Sequence, residues 1–175
     1  MRREHLGDSY DAVKRLWCDL LIKRAPLQAD ARFVPEDLRK EYTCLTGIPI
    51  LADQRPDAYS ILNDPDTGIR RPDQPNWNRG RTHICIESIA QQLTNDAVLC
   101  VITYDQSFDR RLSHRQQRQA KMEALRQAGY HAFYYVSHAP FLFAFPNEQA
   151  EREVRSILVR AGVPDTRFDG IPGNS

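Results

Sequence analysis

Apolar and polar residues are distributed along the chain in the pattern of a protein that contains both helices and strands. Helical spacing of apolar residues, together with capping residues and helix-stopping Gly and Pro, predicts five helices, at about residues 9–25, 35–47, 88–93, 113–128 and 147–162. Short runs rich in β-branched and aromatic residues predict four strands, at residues 58–62, 97–102, 131–136 and 141–145.

The order of these elements indicates the fold class. Strands alternate with helices until the last two strands, which follow each other through Ser137-His138-Ala139-Pro140 and are expected to form a hairpin. This order predicts an α/β fold in three layers, with a mostly parallel, Rossmann-like sheet and a C-terminal antiparallel hairpin. We expect a single domain over residues 1–164 and a loosely held tail over residues 165–175.

Composition and charge exclude several classes of protein. No apolar run approaches the roughly 20 residues that cross a bilayer, and the polar N-terminal residues do not resemble a signal peptide, so we expect a cytoplasmic protein without membrane contact. The four cysteines are scattered without a C-x-x-C pair, which favours reduced core thiols over a zinc site or disulfides. A net charge of +1 excludes a globally basic nucleic-acid-binding surface. Nothing in the sequence indicates an oligomeric state.

Acidic side chains follow two of the predicted strands, at the point where each strand ends. Asp64 and Asp66 stand in the turn after the first strand, and Asp105 follows the second. Ligands of open α/β sheets bind at this edge, and carboxylate oxygens suit Mg²⁺ or Mn²⁺. These three residues are therefore the predicted metal ligands. The predicted catalytic residues are the same three aspartates together with Lys14, which would neutralise a phosphate, and His138, which would transfer protons.

The remaining candidate residues are predicted to contact the substrate. They are Asp8, Asp11, Arg71, Trp77, Ser107 and Arg110, of which Ser107 is also a candidate for proton transfer. The arginines near the acidic turn and before the fourth helix would form a phosphate-binding rim, and Trp77 lies in a long polar loop at residues 64–81. Each feature also has a structural explanation: Asp8 as a helix cap, Asp66 as a turn former, Lys14 and the arginines as solvated side chains, Asp105 as a hydrogen-bond acceptor, and His138 as a hairpin residue.

Two motifs resemble those of known proteins. Gly7-Asp8-Ser9-Tyr10-Asp11-Ala12-Val13-Lys14 and Asp64-Pro65-Asp66-Thr67-Gly68 resemble the G-D-x-x-D-x-x-K and D-P-D-x-G motifs of a group of short uncharacterised bacterial proteins. More distantly, the chain is similar to adenine-N6 methyltransferases of large-subunit ribosomal RNA, which have a G-N-x-x-D-x-x-K helix and a D-P-P-Y turn.

That second resemblance implies a methyltransferase-like site. Asp11 and Lys14 would lie near the S-adenosylmethionine pocket, and Asp64 would hold the target amino group. The chain departs from the family pattern at three points: it has no Gly-rich cofactor loop, Asp66 replaces the second proline, and Thr67 replaces the aromatic residue that stacks on the base.

Three functions therefore remain open. The first is a divalent-metal enzyme that acts on a phosphate-containing substrate such as a nucleotide or nucleic acid. The second is a degenerate S-adenosylmethionine-dependent methyltransferase-like domain. The third is a non-catalytic module that binds a protein through the loop containing Trp77.

Overall fold

A computed structural model describes residues 3–52, 56–71, 80–107 and 109–170. The α-helices in these ranges are α1 (Ser9–Leu21), α2 (Arg39–Thr46), α3 (Ile86–Leu93), α4 (His114–Gln127) and α5 (Glu148–Arg160). The strands are β1 (Leu27–Ala29), β2 (Tyr59–Asn63), β3 (Gly68–Ile69), β4 (His83–Ile84), β5 (Val98–Tyr104), β6 (His131–Tyr135), β7 (Phe141–Phe145) and β8 (Phe168–Gly170). Short 3₁₀ helices cover Arg3–His5, Glu36–Leu38 and Asp165–Arg167.

Six of these strands form one mixed sheet in the order β1-β2-β5-β7-β6-β8. The β1–β2 and β2–β5 pairs are parallel, whereas β5–β7, β7–β6 and β6–β8 are antiparallel. The predicted α/β fold and its C-terminal hairpin are therefore confirmed. Strands β3 and β4 form a separate parallel pair, in which Gly68 lies opposite His83.

Helices cover both faces of the large sheet, so the protein has three layers. On one face, apolar side chains of α1, α2 and α5 pack against the sheet in a cluster that includes Trp17, Tyr42 and Leu158. On the other face, side chains of α3 and α4 do the same, with Ile89 and Leu125 among them. None of the helices in the described ranges is both long enough and apolar enough to span a membrane.

Helix α1 is rotated relative to the face that its apolar residues predict. The buried residues of this helix are Asp11, Lys14, Trp17, Cys18 and Leu21. Leu16 stands at helical spacing with the apolar residues Val13 and Leu20, yet it is 42% exposed. Lys14 and Asp11 can be buried because their side chains form an ion pair with each other.

Four of the strands were not predicted from the sequence, namely β1, β3, β4 and β8. Strand β1 has only three residues and lies directly after Pro26, too short for a periodic signal. Strand β8 lies within the segment predicted to be a loose tail, and it pairs with β6 along Phe168 to Gly170. Phe168 in this segment packs edge-on against Phe133 and belongs to the apolar cluster on that face of the sheet.

Candidate functional site

The carboxyl ends of β2 and β5 border an open pocket of about 260 Å³. Ligands of α/β proteins bind at this edge of the sheet. We call it the acidic pocket, because three of its lining residues are aspartates. The lining residues are His5, Asp8, Tyr10, Lys14, Asp64, Pro65, Asp66, Tyr104 and Gln106.

A buried group of three charges closes one side of the acidic pocket. Lys14 Nζ lies 2.9 Å from Asp11 Oδ1 and 2.7 Å from Asp64 Oδ2. The second oxygen of Asp11 accepts a hydrogen bond from the Gly7 backbone N–H at 2.7 Å. Burial alone would lower the pKa of Lys14, but the attraction of Asp64 and Asp11 outweighs burial and raises it. Lys14 is therefore protonated at neutral pH, and the group carries one excess negative charge.

Aromatic side chains form another side of the acidic pocket. The rings of Tyr10 and Tyr104 meet edge-on with centroids 5.4 Å apart. Gln106 Nε2 donates to the Tyr10 hydroxyl at 2.6 Å and to the His138 backbone carbonyl at 3.2 Å. Burial, and then the neighbouring Tyr10, raise the pKa of Tyr104, so its phenol stays neutral. The pocket thus combines carboxylates with two tyrosine rings.

A second buried network surrounds Asp105, one residue beyond the end of β5. Its Oδ2 accepts from Lys121 Nζ at 2.6 Å and from the Tyr134 hydroxyl at 2.7 Å. Its Oδ1 accepts from the Ile69 backbone N–H at 2.8 Å and contacts Ser107 Oγ at 2.6 Å. Both oxygens of Asp105 are therefore engaged by protein groups, and the network fixes β3 against the end of β5.

The pKa values of the two buried lysines are shifted in opposite directions. Burial lowers the pKa of Lys121 below its ordinary value, and attraction to Asp105 compensates only in part. The positive charges of Arg71 and Arg118 lower the pKa of Lys121 further. Lys14 has two carboxylate partners, so attraction prevails there. Lys121 therefore has more positive charge close to it than Lys14 has.

A smaller pocket of about 100 Å³ lies beside this second network. We call it the arginine pocket, after Arg71. It is lined by Thr67, Ile69, Arg71, His83, Ser107, Asp109 and Gln117. Arg71 is only 8% exposed, and its Nη1 lies 3.0 Å from Asp109 Oδ2. Arg111 binds the same carboxylate from the solvent side at 2.7 Å.

The structure brings together some of the residues predicted from the sequence. Asp8, Asp64, Asp66 and Lys14 line the acidic pocket, and Asp11 stands behind them on Lys14. Asp8 also caps α1, as its structural explanation proposed, by accepting from the backbone N–H of Tyr10. These residues converge because Lys14 of α1 binds Asp64, which directly follows β2.

Other predicted residues lie elsewhere. Asp105 and Ser107 belong to the second network, and Arg71 lines the arginine pocket. His138 is exposed beside Tyr10, with ring centroids 5.7 Å apart, and Arg110 is exposed in the turn before α4. Trp77 lies outside the described residues.

The predicted metal site receives no support from the described part of the chain. Within those residues, no three His, Cys, Asp or Glu side chains are grouped in a way that could hold a metal ion. Asp64 is bound to Lys14, and Asp105 is bound to Lys121. A lysine thus lies beside the carboxylate at each strand end and would repel a metal ion there.

Several residues of the site escaped sequence analysis. Tyr10, Tyr104 and Gln106 line the acidic pocket, and Lys121 and Tyr134 complete the second network. Tyr10 and Tyr134 look like ordinary core aromatics in the sequence, and Lys121 looks like one of many helix-surface cations. Tyr104 and Gln106 could have been predicted from the sequence, because they flank Asp105 directly after a predicted strand.

Comparison of the chain with protein-family models, with curated proteins and with solved structures finds no match.

Proposed function

We propose that this protein binds a nucleotide or a nucleic-acid strand, and that the acidic pocket receives a nucleobase bearing an exocyclic amino group. The observation that supports this most is the state of Asp64. Its Oδ2 is held by Lys14, whereas its Oδ1 accepts no hydrogen bond from the described residues. Asp64 lines the pocket. A carboxylate in this state accepts a hydrogen bond and cannot donate one.

The rest of the acidic pocket favours the same kind of ligand. Asp8 and Asp66 add negative charge, so a ligand with N–H donors is attracted and a phosphate is repelled. The rings of Tyr10 and Tyr104 offer aromatic surface to a flat base, and base–aromatic stacking contributes about 1–3 kcal/mol per base. The resemblance of residues 64–68 to an amino-group-binding turn agrees with this ligand.

A metal-dependent reaction at Asp64, Asp66 and Asp105 is not part of this proposal. A divalent ion at Asp64 would have to lie beside the ammonium of Lys14, which is bound to the other oxygen of the same carboxylate, and the two cations would repel each other. An ion at Asp105 would have to displace Lys121 and a phenol. That displacement would leave a buried ammonium without its partner, which is costly.

A second candidate is an S-adenosylmethionine-dependent methyltransferase-like function. The observation in its favour is the excess negative charge of the acidic pocket, which suits the sulfonium and ammonium groups of that cofactor. When bound, S-adenosylmethionine supplies an electrophilic methyl group. Asp8, Asp64 and Asp66 would provide the charge that holds it. The pocket volume of about 260 Å³ is below the roughly 300 Å³ typical of the smallest ligand pockets, so a nucleobase fits better than the whole cofactor.

Calorimetric titration with adenosine and purine riboside tests the proposal. The two nucleosides differ at one position, where adenosine has an amino group and purine riboside a hydrogen. Purine riboside would leave Asp64 without a donor, so adenosine should bind at least about tenfold more tightly, or 1.4 kcal/mol. Equal binding of the two nucleosides, or no heat with either at millimolar concentration, would contradict the proposal.

Variants of two aspartates provide the matched comparison. Asp64→Asn supplies an amide that can donate as well as accept, so the preference for adenosine should largely disappear. Asp19→Asn changes an exposed carboxylate on α1 and should preserve the preference. The same titrations with S-adenosylmethionine and with Mn²⁺ separate the alternatives, since tight binding of the first would favour the methyltransferase reading. Binding of Mn²⁺ that is lost in Asp64→Asn would restore the metal hypothesis.

A further inference from the structure

The structure divides the arginines that were expected to form a phosphate-binding rim into two groups. Arg71 and Arg118 are held in ion pairs with aspartates, and their side chains are only 8% and 18% exposed. Arg81, Arg110 and Arg115 are exposed. Within the described part of the chain, the side chains of these three arginines form no ion pair and no hydrogen bond. We call Arg81, Arg110 and Arg115 the basic rim.

Arg81 places one end of the basic rim beside the acidic pocket. Its backbone carbonyl accepts a hydrogen bond from the Asp66 N–H at 3.0 Å, and Asp66 lines that pocket. The next residue is bound in the same way, because the Thr82 carbonyl accepts from the Thr67 N–H at 2.9 Å. The segment that carries Arg81 therefore runs alongside the acidic turn.

Arg110 and Arg115 lie farther along the same edge of the sheet. Arg110 follows Asp109, and Arg115 stands two residues before Gln117. Asp109 and Gln117 both line the arginine pocket. That pocket adjoins the acidic pocket, since two successive residues after β5 line one pocket each. The basic rim thus borders both pockets at the carboxyl edge of the sheet.

The position of Arg115 on α4 has no explanation in the stability of the helix. The first turn of α4 contains His114 and Arg115 and no acidic residue, whereas each of the other four α-helices has a carboxylate in its first turn. The helix dipole disfavours a cation at this end of a helix. The same end attracts anions, so the dipole and Arg115 act together on a bound anion.

The charge of the acidic pocket indicates where the phosphates of a ligand can lie. Asp8, Asp64 and Asp66 repel a phosphate, so the phosphates of a bound nucleotide lie outside the pocket. The basic rim provides cations there, and a guanidinium matches phosphate oxygens with two N–H groups. These cations stand on two separate segments, at residue 81 and at residues 110–115. This arrangement suits a chain of phosphates better than a single one.

We propose that the basic rim binds the phosphates of a single-stranded nucleic acid, next to the nucleotide whose base occupies the acidic pocket. The place of the base rests on the function proposed above, whereas the contact with the strand rests on the basic rim alone. The strand is single at this point, because an amino group that is paired inside a duplex cannot reach Asp64. The natural ligand is then a strand, and not a free nucleoside or mononucleotide.

Fluorescence anisotropy with a labelled deoxyoligonucleotide tests this inference. The strand has about seven nucleotides, with one adenine at its centre and thymines elsewhere, so that only one base carries an exocyclic amino group. It should bind at least tenfold more tightly than adenosine 5′-monophosphate, which is measured by competition. Three phosphate contacts predict a slope of about −2 for the logarithm of the affinity against the logarithm of the salt concentration. An affinity equal to that of the monophosphate and independent of salt would overturn the inference.

Charge reversal locates the contact with the strand. Arg81→Glu, Arg110→Glu and Arg115→Glu should each weaken strand binding at least fivefold and make the salt slope less steep by about 0.7. The loss should exceed any loss for adenosine, which has no phosphate. Arg115→Glu also puts a carboxylate at the N-terminal end of α4, where the helix dipole favours it, so unfolding would not explain a loss of binding.

Lys23→Glu is the matched control, because it makes the same change of charge at an exposed residue on the opposite edge of the sheet. Arg24, the next residue, lines a cavity at the start of β5. The control should keep the affinity and the salt slope of the wild type. Equal losses in Lys23→Glu and in the rim variants would show a response to total charge alone, and the inference would be wrong.

A second strand, made of thymines only, separates this inference from the proposed function. Equal binding of the two strands, lost in the rim variants, would support the basic rim and reject the base site. A preference for the strand with adenine that no rim variant weakens would support the base site and reject the basic rim. Binding of adenosine without tighter binding of either strand would have the same meaning.

Discussion

Replacing Lys14 with methionine should strongly destabilise the protein. Methionine keeps much of the length of the lysine stem but removes the charge that holds two carboxylates together. Lys14, Asp11 and Asp64 are 4%, 3% and 5% exposed. Removing one partner of a buried ion pair costs about 3–5 kcal/mol, because the other charge stays buried without compensation. Here two carboxylates would lose their partner, so we expect a loss in the upper part of that range.

The assay is urea unfolding at pH 7, followed by circular dichroism. The pKa of Lys14 is raised above its ordinary value, since Asp64 and Asp11 outweigh burial. A raised lysine pKa stabilises the fold fully below the unfolded value of about 10.4, and this contribution is lost only as pH rises through the higher folded pKa. The full contribution is therefore present at pH 7. Lys40→Met, on the exposed side of α2, should change stability by no more than about 0.5 kcal/mol.

Two further measurements examine the cause of the loss. Acidification should narrow the gap between wild type and Lys14→Met, because protonation of a carboxyl removes the repulsion between two neighbouring negative charges. The triple variant Asp11→Asn, Lys14→Met, Asp64→Asn should recover a large part of the lost stability, since it leaves no buried charge. A loss below about 1 kcal/mol for Lys14→Met at pH 7 would refute the reasoning, as would a triple variant less stable than the single one.

Two other predictions concern the second network and the arginine pocket beside it. Gly68→Ala should cost about 3 kcal/mol or more in urea unfolding, because a Cβ there would overlap Asp105 Oδ1 and stand 2.8 Å from Asp105 Cα. Gly80→Ala, where φ is also positive but the space is open, should cost only about 1–2 kcal/mol, and equal losses would show that steric contact is not the cause. Hydrogen bonds from Arg111 lower the pKa of Asp109, so its contribution to stability is present above the unfolded value of about 3.9 and is lost as pH falls further. Asp109→Asn should therefore be less stable than wild type at pH 7 and approach it in unfolding experiments below about pH 4, whereas a gap independent of pH would contradict this.

Local signals in the sequence predicted most of the helices and strands correctly. Ser113 caps α4 with a reciprocal hydrogen bond to Gln116, Asn147 caps α5, and Gly47 ends α2 in the left-handed conformation. The hairpin of β6 and β7 followed from two aromatic runs with a short connection. These features depend on residues that are close in the chain, so the sequence alone contains the information.

The site was only partly predictable, because its ion pairs join residues that are far apart in the chain. Lys14 and Asp64 are 50 residues apart, and Lys121 and Asp105 are 16 apart. Both aspartates were recognised from their place after a strand. The sequence did not show that each would receive a buried lysine, so a metal seemed the natural partner for them.

The amino-acid sequence by itself therefore determined the α/β class, the order of the elements and the polar character of the sheet edge. Only the tertiary structure decided which face of α1 is buried, which charges meet, and that the sheet edge carries one acidic and one arginine-lined pocket. The physical reason is that periodicity and capping act between neighbours in the chain. The free energy of a buried charge depends instead on the partner that the fold places beside it.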